Sequence, residues 1–250
     1  MNYNWDWSVI YSMSPDGVHN YLQQFAIGMG WTVALTFCAI LTALVLGSLL
    51  AFLRMLKIPV VNYVAVTYVE YMRNIPLIVH MFLWFFVLPE LVPVDLGMAI
   101  KKMPQPWASV VPAFFCLSTY AAARISEVLR AGVESLPRGQ FQAGAAIGLN
   151  EFQTFRYVVF PQAIRIVVPA LTSEMVSAVK YSAIAYTIGV SEITAQSKSM
   201  QEYTFHVFEA FAIAAVLYIT INWAIIFAMR HVEKVIALPG MVSSKQELGA

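Results

Sequence analysis

The hydrophobic pattern of the chain consists of long apolar runs, separated by short stretches that contain Pro, Gly or charged residues. Each run approaches or exceeds the roughly 20 residues that an α-helix needs to cross the hydrocarbon core of a bilayer. A helix satisfies its own backbone polar groups, so we expect an all-α, polytopic membrane helical bundle. The pattern predicts five spans, at residues 25–53, 60–88, 109–129, 166–188 and 205–229.

Composition agrees with this interpretation, because 60% of the 250 residues are apolar and 12% are charged. The mean hydropathy of +0.69 does not fit a soluble surface. The first 27 residues hold no Lys or Arg, so they lack the basic region of a cleavable signal peptide, and the first run is expected to remain as an anchor. We predict an external segment at 1–24, one membrane domain at 25–236 and a cytoplasmic tail at 237–250.

The positions of the fifteen Lys and Arg residues predict the orientation. With the N-terminus outside, nine of them lie in cytoplasmic segments, three lie in outside segments and three lie within spans. Basic residues accumulate on the cytoplasmic side of a membrane, so the arrangement predicted is N-out/C-in. Glu192 and Lys198 then fall in the last outer loop, either as solvated charges or where an external protein docks.

The second predicted span is too long for a plain crossing, and it contains Asn74, Ile75 and Pro76 in succession. Proline removes a backbone donor and clashes with the preceding helical turn. A kink or break is therefore predicted at mid-depth, where freed carbonyl groups need other partners. This break is a candidate functional feature.

Three cations lie inside the predicted spans: Arg73, Arg124 and Lys180. A charge at the bilayer centre costs about 2.5–3.5 kcal/mol, so each cation needs a partner or a wet cavity. One interpretation pairs Arg73 with Glu70, and Arg124 with Glu127, three residues apart on the same helix. The other is that a cation faces a path for an anionic substrate, because the arginine fork matches a carboxylate. Arg124 is the strongest candidate for that role.

Further candidates for the path lie near the same depth: Asn74, Tyr181 and Ser182. Thr119 and Tyr120 precede Arg124 by about one helical turn, and they either line the path or pack between helices. No nucleophile, base or metal ligand set is clustered in the sequence, which disfavours a membrane-embedded enzyme.

The connection between the third and fourth spans, about residues 133–162, is too long to be a simple turn. The pattern predicts a short helix at 141–147, with Gly148 as its left-handed C-cap. Asn150 and Gln153 have the spacing of a capping box for a second helix, which Pro161 is expected to interrupt. We therefore predict a cytoplasmic helix–turn–helix. Its small residues either approach another protein closely or pack on the bundle of this chain.

The motif in this connection has a defined spacing: Gln142-Ala143-Gly144-Ala145-Ala146-Ile147-Gly148, nine residues, then Val158-Val159-Phe160-Pro161. It resembles the cytoplasmic loop signature of ABC-importer permeases, which reads Glu-Ala-Ala, three residues, Gly, nine residues, Ile-x-Leu-Pro. The spacing matches fully, and four positions differ: Gln142, Gly144, Val158 and Phe160. The resemblance implies that a cytoplasmic ATPase contacts a coupling segment that contains Gln142, Ala143, Gly144, Ala145, Ala146, Gly148 and Pro161.

The resemblance to ABC-importer permeases covers nearly the whole chain. Motifs that resemble the polar amino-acid uptake branch of the family begin at Arg73, Glu127, Phe155, Pro161 and Lys180. Those most similar to permeases of glutamate/aspartate importers are Asn4-Trp5-Asp6-Trp7, Val87-Leu88-Pro89-Glu90-Leu91, Ala122-Ala123-Arg124, Thr172-Ser173-Glu174-Met175 and Leu238-Pro239-Gly240.

This resemblance implies a type I ABC importer permease fold in the bacterial inner membrane. It also implies a second permease subunit, a pair of cytoplasmic ATPases that bind ATP and Mg, and a periplasmic amino-acid-binding protein. The chain holds no Gly-x-x-x-x-Gly-Lys-Ser/Thr run, so ATP hydrolysis is expected in a partner, and no cofactor is expected in this chain. No basic tract suggests nucleic acid. The second permease is either another copy or, as the resemblance favours, a related chain.

The resemblance also bears on the substrate. Arg124 stands where the family usually shows an aromatic residue, and Tyr181 stands where members that transport basic substrates often carry Asp. This polarity favours L-glutamate or L-aspartate. A permease for another polar amino acid, such as glutamine, remains an alternative. A stand-alone secondary transporter is another, although it does not explain the coupling segment, and five spans do not divide into two inverted halves.

Overall fold

The computed structural model describes residues 3–56, 58–137 and 139–236, so the predicted tail at 237–250 lies outside the described residues. Helices dominate the described chain, and the predicted all-α class is confirmed. The helices are α1 (Tyr21–Met55), α2 (Pro59–Asn74), α3 (Leu77–Phe82), α4 (Leu88–Leu91), α5 (Val94–Lys101), α6 (Trp107–Glu134), α7 (Gly139–Ala146), α8 (Glu151–Thr154), α9 (Phe160–Ser182), α10 (Ile193–Thr204) and α11 (Val207–Ile236).

Five segments match the predicted spans. Four helical stretches in the described residues are long and apolar enough to cross a membrane: Tyr21–Met55, Trp107–Glu134, Glu151–Ile188 and Val207–Ile236. A bent pair of helices, Pro59–Asn74 and Leu77–Leu91, makes the fifth. The last span begins two residues later than predicted, because Phe205 adopts a left-handed backbone conformation that ends α10.

The break in the second span lies at the predicted position. Ile75 is extended, with φ −101° and ψ 135°, because a residue that precedes proline is disfavoured in the helical region. The two halves of the span meet at an angle of 106°. This bend separates the direction of α2 from that of α3 and α4.

Helix α6 forms the centre of the bundle, and α1 packs along it. Gly47 allows the close approach, because a Cβ atom there would lie 2.9 Å from the carbonyl oxygen of Ala122 and 2.9 Å from Cγ2 of Ile125. The opposite face of α1 exposes large apolar side chains, and so does most of α11. Their exposed side chains include Phe37, Val45, Phe52, Val216, Trp223 and Phe227. Such faces suit contact with lipid.

Two π-helical turns, Leu83–Val87 and Phe155–Val159, each end two residues before a proline, Pro89 or Pro161. A wider turn accommodates the missing backbone donor of proline without ending the helix. The prediction that Pro161 interrupts the second helix of the cytoplasmic connection is therefore wrong. That helix continues into the membrane, and the helical stretch runs over Glu151–Ile188.

Glu192 in the last outer connection is fully buried, which corrects the expectation of a solvated or docking charge there. Its carboxylate caps α10 by accepting a hydrogen bond from the backbone N–H of Ala195 at 2.8 Å. It also accepts one from the hydroxyl of Tyr218 at 2.6 Å. Burial raises the pKa of the Glu192 carboxyl above its ordinary value. Lys198 is more exposed and contacts Gln201.

The described N-terminal segment is attached to the start of α11 through Glu209. The backbone N–H of Asp6 donates to Oε1 of Glu209 at 2.9 Å, and the hydroxyl of Tyr3 donates to Oε2. Glu209 is fully buried by these contacts. The segment therefore packs against the last span.

Candidate functional site

The candidate substrate site centres on an ion pair between Arg124 of α6 and Glu174 of α9. Arg124 donates from Nε to Oε2 of Glu174 at 2.7 Å, and from Nη2 to Oε1 at 3.0 Å. The side chains are 32% and 15% exposed. The pair therefore joins two spans in the bidentate geometry that guanidinium and carboxylate prefer.

Aromatic rings extend this site across the bundle. The guanidinium of Arg124 lies 5.8 Å from the ring centre of Tyr181, and Tyr181 packs edge-to-face on Tyr120 at 5.5 Å. Tyr120 in turn lies 5.9 Å from the ring of His80, next to the broken second span. Thr119 instead uses its hydroxyl on its own helix, since it donates to the carbonyl of Phe115 at 2.7 Å.

His80 lies beside Tyr120 at one edge of this group of rings, and the sequence did not predict it as a site residue. It is 2% exposed, and its Nε2 has no hydrogen-bond partner in the described part of the chain. Buried polar atoms in folded proteins nearly always have a partner. The available sequence signal was a histidine one helical turn after Pro76, within an apolar run. A shallow groove approaches His80 from α2, and it is lined by Tyr63, Val64, Thr67, Tyr68 and Tyr71.

Arg73 and Asn74 lie apart from the Arg124–Glu174 pair, at the end of α2. Arg73 reaches Glu70 at 3.8 Å and Glu127 at 3.7 Å, and Asn74 donates to Glu70 at 3.1 Å. The ion pair of Arg73 with Glu70 is thus the one that the same-helix interpretation predicted, and Glu127 is a second partner of Arg73. Glu127 also accepts from Arg54 and Arg130.

The pairing of Arg124 with Glu127 on its own helix is wrong. Arg124 turns instead towards Glu174, fifty positions away along the chain. The cations that surround Glu127 come from α1, α2 and α6. Glu127 is thus the centre of a separate network of ion pairs.

Lys180 and Ser182 flank Tyr181 but face different surroundings. Lys180 is exposed and makes no ion pair with any residue that the structure describes. Ser182 is fully buried, and its hydroxyl donates to the carbonyl of Val179 at 2.7 Å. Among the three neighbours, the structure brings only Tyr181 to Arg124.

The coupling segment contains α7, which begins at Gly139 rather than at the predicted residue 141. This helix ends in the predicted left-handed cap. Gly148 has φ +83°. Its N–H bonds to the carbonyl of Ala145 at 3.0 Å, and the N–H of Leu149 bonds to that of Gly144 at 3.1 Å. These two bonds define a Schellman motif. The capping box between Asn150 and Gln153 is also present, with bonds of 2.8 and 3.0 Å.

One side of α7 packs on α8, and the other is open. Gly144 is buried against Thr154, where a Cβ atom would lie 2.5 Å from Cγ2 of Thr154. The exposed residues of the segment are Gln142, Ala143, Ala145, Ala146 and Gly148, while Pro161 is half-buried. Large apolar side chains next to them are also exposed, with Ile147 76% and Phe152 74% exposed. Exposed apolar clusters of this kind mark protein contacts.

Comparison with known proteins identifies similar chains. Residues 21–237 match the family described as binding-protein-dependent transport system inner membrane component. The glutamate/aspartate import permease protein GltJ of Escherichia coli (strain K12) is 39% identical over 98% of this chain and 100% of its own length. The probable glutamine ABC transporter permease protein GlnP of Bacillus subtilis (strain 168) is 29% identical over 81% of this chain and 88% of its own.

Solved structures share the fold. An amino acid ABC transporter, crystallised with histidines, superposes with a TM-score of 0.74 at 28% identity, covering 86% of this chain and 94% of that one. The inward-facing MetNI methionine ABC transporter gives a TM-score of 0.68 at 21% identity, covering 90% and 100%. The second likeness supports the fold alone.

Proposed function

Because the chain belongs to the family of binding-protein-dependent transport system inner membrane components, we propose that it is a permease subunit of an ABC importer for L-glutamate or L-aspartate. The strongest support for this substrate is the similarity to the glutamate/aspartate permease, which extends over the full length of that relative. The candidate site adds chemical support, because Arg124 presents a carboxylate-binding fork between two spans.

In this proposal Arg124 is the cation that recognises the substrate, and Tyr181 and His80 line the same site. The aromatic rings shield part of the guanidinium from water, which strengthens electrostatic contacts to it. Arg73 and Asn74 act at the end of α2, where the second span breaks. Lys180 and Ser182 complete the proposed path, although neither contacts the Arg124–Glu174 pair.

The open side of the coupling segment is proposed as the contact for a cytoplasmic ATPase. Small exposed residues on α7 allow a close approach of backbones, and exposed Ile147 and Phe152 provide apolar area. The motor is a pair of ATPases that bind ATP and Mg. A second permease subunit and a periplasmic binding protein complete the proposed complex.

The test is uptake of labelled glutamate, aspartate, glutamine and arginine by the complex reconstituted in vesicles. Arg124→Met is expected to abolish uptake of the acidic amino acids, and co-purification of the subunits checks that the variant complex still assembles. Arg230→Met is the matched control, because Arg230 is exposed on α11 and lies over Phe227, away from the site. Unchanged glutamate uptake by the Arg124 variant would contradict the assignment of the site.

The alternatives have distinct outcomes in the same assay. Preferred uptake of glutamine by the wild-type complex would replace the proposed substrate with a neutral amino acid. Uptake by the lone chain, without an ATPase, would favour a secondary transporter. Co-purification with an ATPase supports the importer.

A further inference from the structure

We propose that Glu174 binds the ammonium group of the substrate, and that the Arg124–Glu174 pair opens to receive an amino acid between its two charges. This inference rests on the proposed function, since it takes Arg124 as the cation that recognises the substrate. It assigns a second residue to the site, one that selects for zwitterions.

The first step concerns the occupancy of Arg124. Two of its nitrogen atoms, Nε and Nη2, already donate to the two oxygen atoms of Glu174. A substrate carboxylate that binds this edge of the guanidinium has the same chemistry as Glu174, so it has to displace the glutamate. In this structure a carboxylate of the protein itself thus occupies this edge of Arg124.

The second step concerns what the displaced Glu174 requires. Its side chain is 15% exposed, and Arg124 is its one ion-pair partner among the described residues. A carboxylate that is largely removed from water and loses its cation is strongly destabilised. The neighbouring groups that face Arg124, namely Tyr181 and Tyr120, supply no positive charge. A new cation has to come from the incoming molecule.

An amino acid supplies both charges. Its carboxylate binds Arg124 and its ammonium group binds Glu174, so neither side chain is left unpaired. A dicarboxylate without an amino group satisfies Arg124 only and leaves Glu174 without a partner. The pair therefore discriminates amino acids from the deaminated acids of equal length, through the cost of the group that is left unpaired.

The experiment measures binding of glutamate and glutarate, its deaminated analogue, to the purified nucleotide-free complex without binding protein. In equilibrium dialysis, the wild type is expected to bind glutamate at least tenfold more tightly than glutarate. Glu174→Gln is expected to weaken glutamate binding about tenfold and to reduce the preference over glutarate to less than threefold. An unchanged preference in this variant, or no glutamate binding by the wild type, overturns the inference.

Two further variants separate selectivity from folding. Glu174→Asp keeps the carboxylate, so the preference for glutamate is expected to persist even where affinity falls. Glu233→Gln is the matched control, because Glu233 also contacts α9, where Thr172 donates to it at 3.1 Å. Thermal unfolding of each complex checks its integrity. A loss of preference in Glu174→Asp equal to that in Glu174→Gln would also overturn the inference.

Failure of the proposed function gives a different pattern. If the complex transports glutamine, the same comparison is made between glutamine and its deaminated analogue, and a loss of preference in Glu174→Gln still supports the inference. If Arg124→Met abolishes glutamate uptake but Glu174→Gln keeps the wild-type preference, the proposed function stands and the role of Glu174 falls.

Discussion

At Glu192 a buried carboxylate holds together the outer ends of two helices. It caps α10 and accepts a hydrogen bond from Tyr218 of α11, whose hydroxyl also lies 2.9 Å from the Thr194 hydroxyl. Close packing completes the arrangement, because Gly28 of α1 leaves room for the backbone of Glu192. A Cβ atom added at Gly28 would lie 3.2 Å from the carbonyl carbon of Glu192. Polar contacts at single residues therefore fix how the outer loop sits on the bundle.

Tyr218→Phe is expected to destabilise the protein by about 1–3 kcal/mol, because it leaves a buried acceptor without its donor. The measurement is thermal unfolding of the purified protein in detergent. Tyr203→Phe is the control, because the Tyr203 side chain is 65% exposed. Equal melting temperatures for both variants would contradict the structural role of the Tyr218 hydroxyl.

The raised pKa of Glu192 predicts a pH dependence. The folded state holds the proton of the Glu192 carboxyl more tightly than the unfolded state does. The stabilisation of the fold by this proton is therefore complete below the unfolded pKa of about 4.3, and it is lost as pH rises through the folded pKa. The side-chain amide in Glu192→Gln is neutral at every pH, so this variant does not lose stability in this way. Its melting temperature relative to wild type is thus expected to rise between pH 4.5 and 8. A constant difference across that range would refute the prediction.

At this scale the sequence indicated unusual residues, such as charges inside spans, but it did not indicate their partners. Arg124 was identifiable as a cation inside a span, because hydropathy and charge are properties of one residue. Its partner, Glu174, lies on another helix, and only tertiary packing brings the two together. For the same reason the burial of Glu192 had no signal in the local pattern, and the apolar run around His80 did not indicate its contact with Tyr120.

The caps around the turn after α7 were predicted accurately, since caps depend on neighbouring residues alone. Gly148 and the Asn150–Gln153 pair form the predicted caps around the turn that follows α7. The π-helical turn before Pro161 was not predicted, because a wider turn has no distinct composition and depends on how the helix packs around the proline.

Gly148→Val is expected to uncouple ATP hydrolysis from transport. A side chain at φ +83° strains the backbone by about 1–2 kcal/mol, although an added Cβ at Gly148 would meet no atom within 4 Å. The effect is thus conformational, and it displaces α7 relative to α8. Amino acid transported per ATP hydrolysed in reconstituted vesicles measures it. Gly139→Ala is the control, since its Cβ would also meet open space without a positive φ. Normal coupling in the Gly148 variant would count against the coupling role.

Across the whole molecule, the number and positions of the spans followed from hydropathy, because lipid imposes that requirement on every crossing helix. Which faces pack together did not follow, because α1, α6 and α11 are all apolar. Small residues at the interface decide the matter, and Gly47 of α1 lies directly against Ala122 of α6.

Gly47→Leu is expected to destabilise the bundle by about 1–3 kcal/mol, because overpacking at a tight interface forces the helices apart. Gly30→Leu is the matched control on the same helix, where an added Cβ would meet nothing within 4 Å. Detergent-solubilised yield and melting temperature measure the difference. Similar values for the two variants would show that α1 and α6 tolerate a wider separation.

The uninterrupted helical stretch Glu151–Ile188 has a mechanical consequence. Thr154, which touches Gly144 of α7, and Glu174, which holds Arg124, lie on this one rod. At 1.5 Å per residue they are separated by roughly 30 Å. A displacement at the cytoplasmic end of this helix is consequently transmitted to the ion pair along continuous helical backbone. No coil segment lies between Thr154 and Glu174. The proposed ATPase contact and the proposed selectivity residue thus lie on one continuous helix.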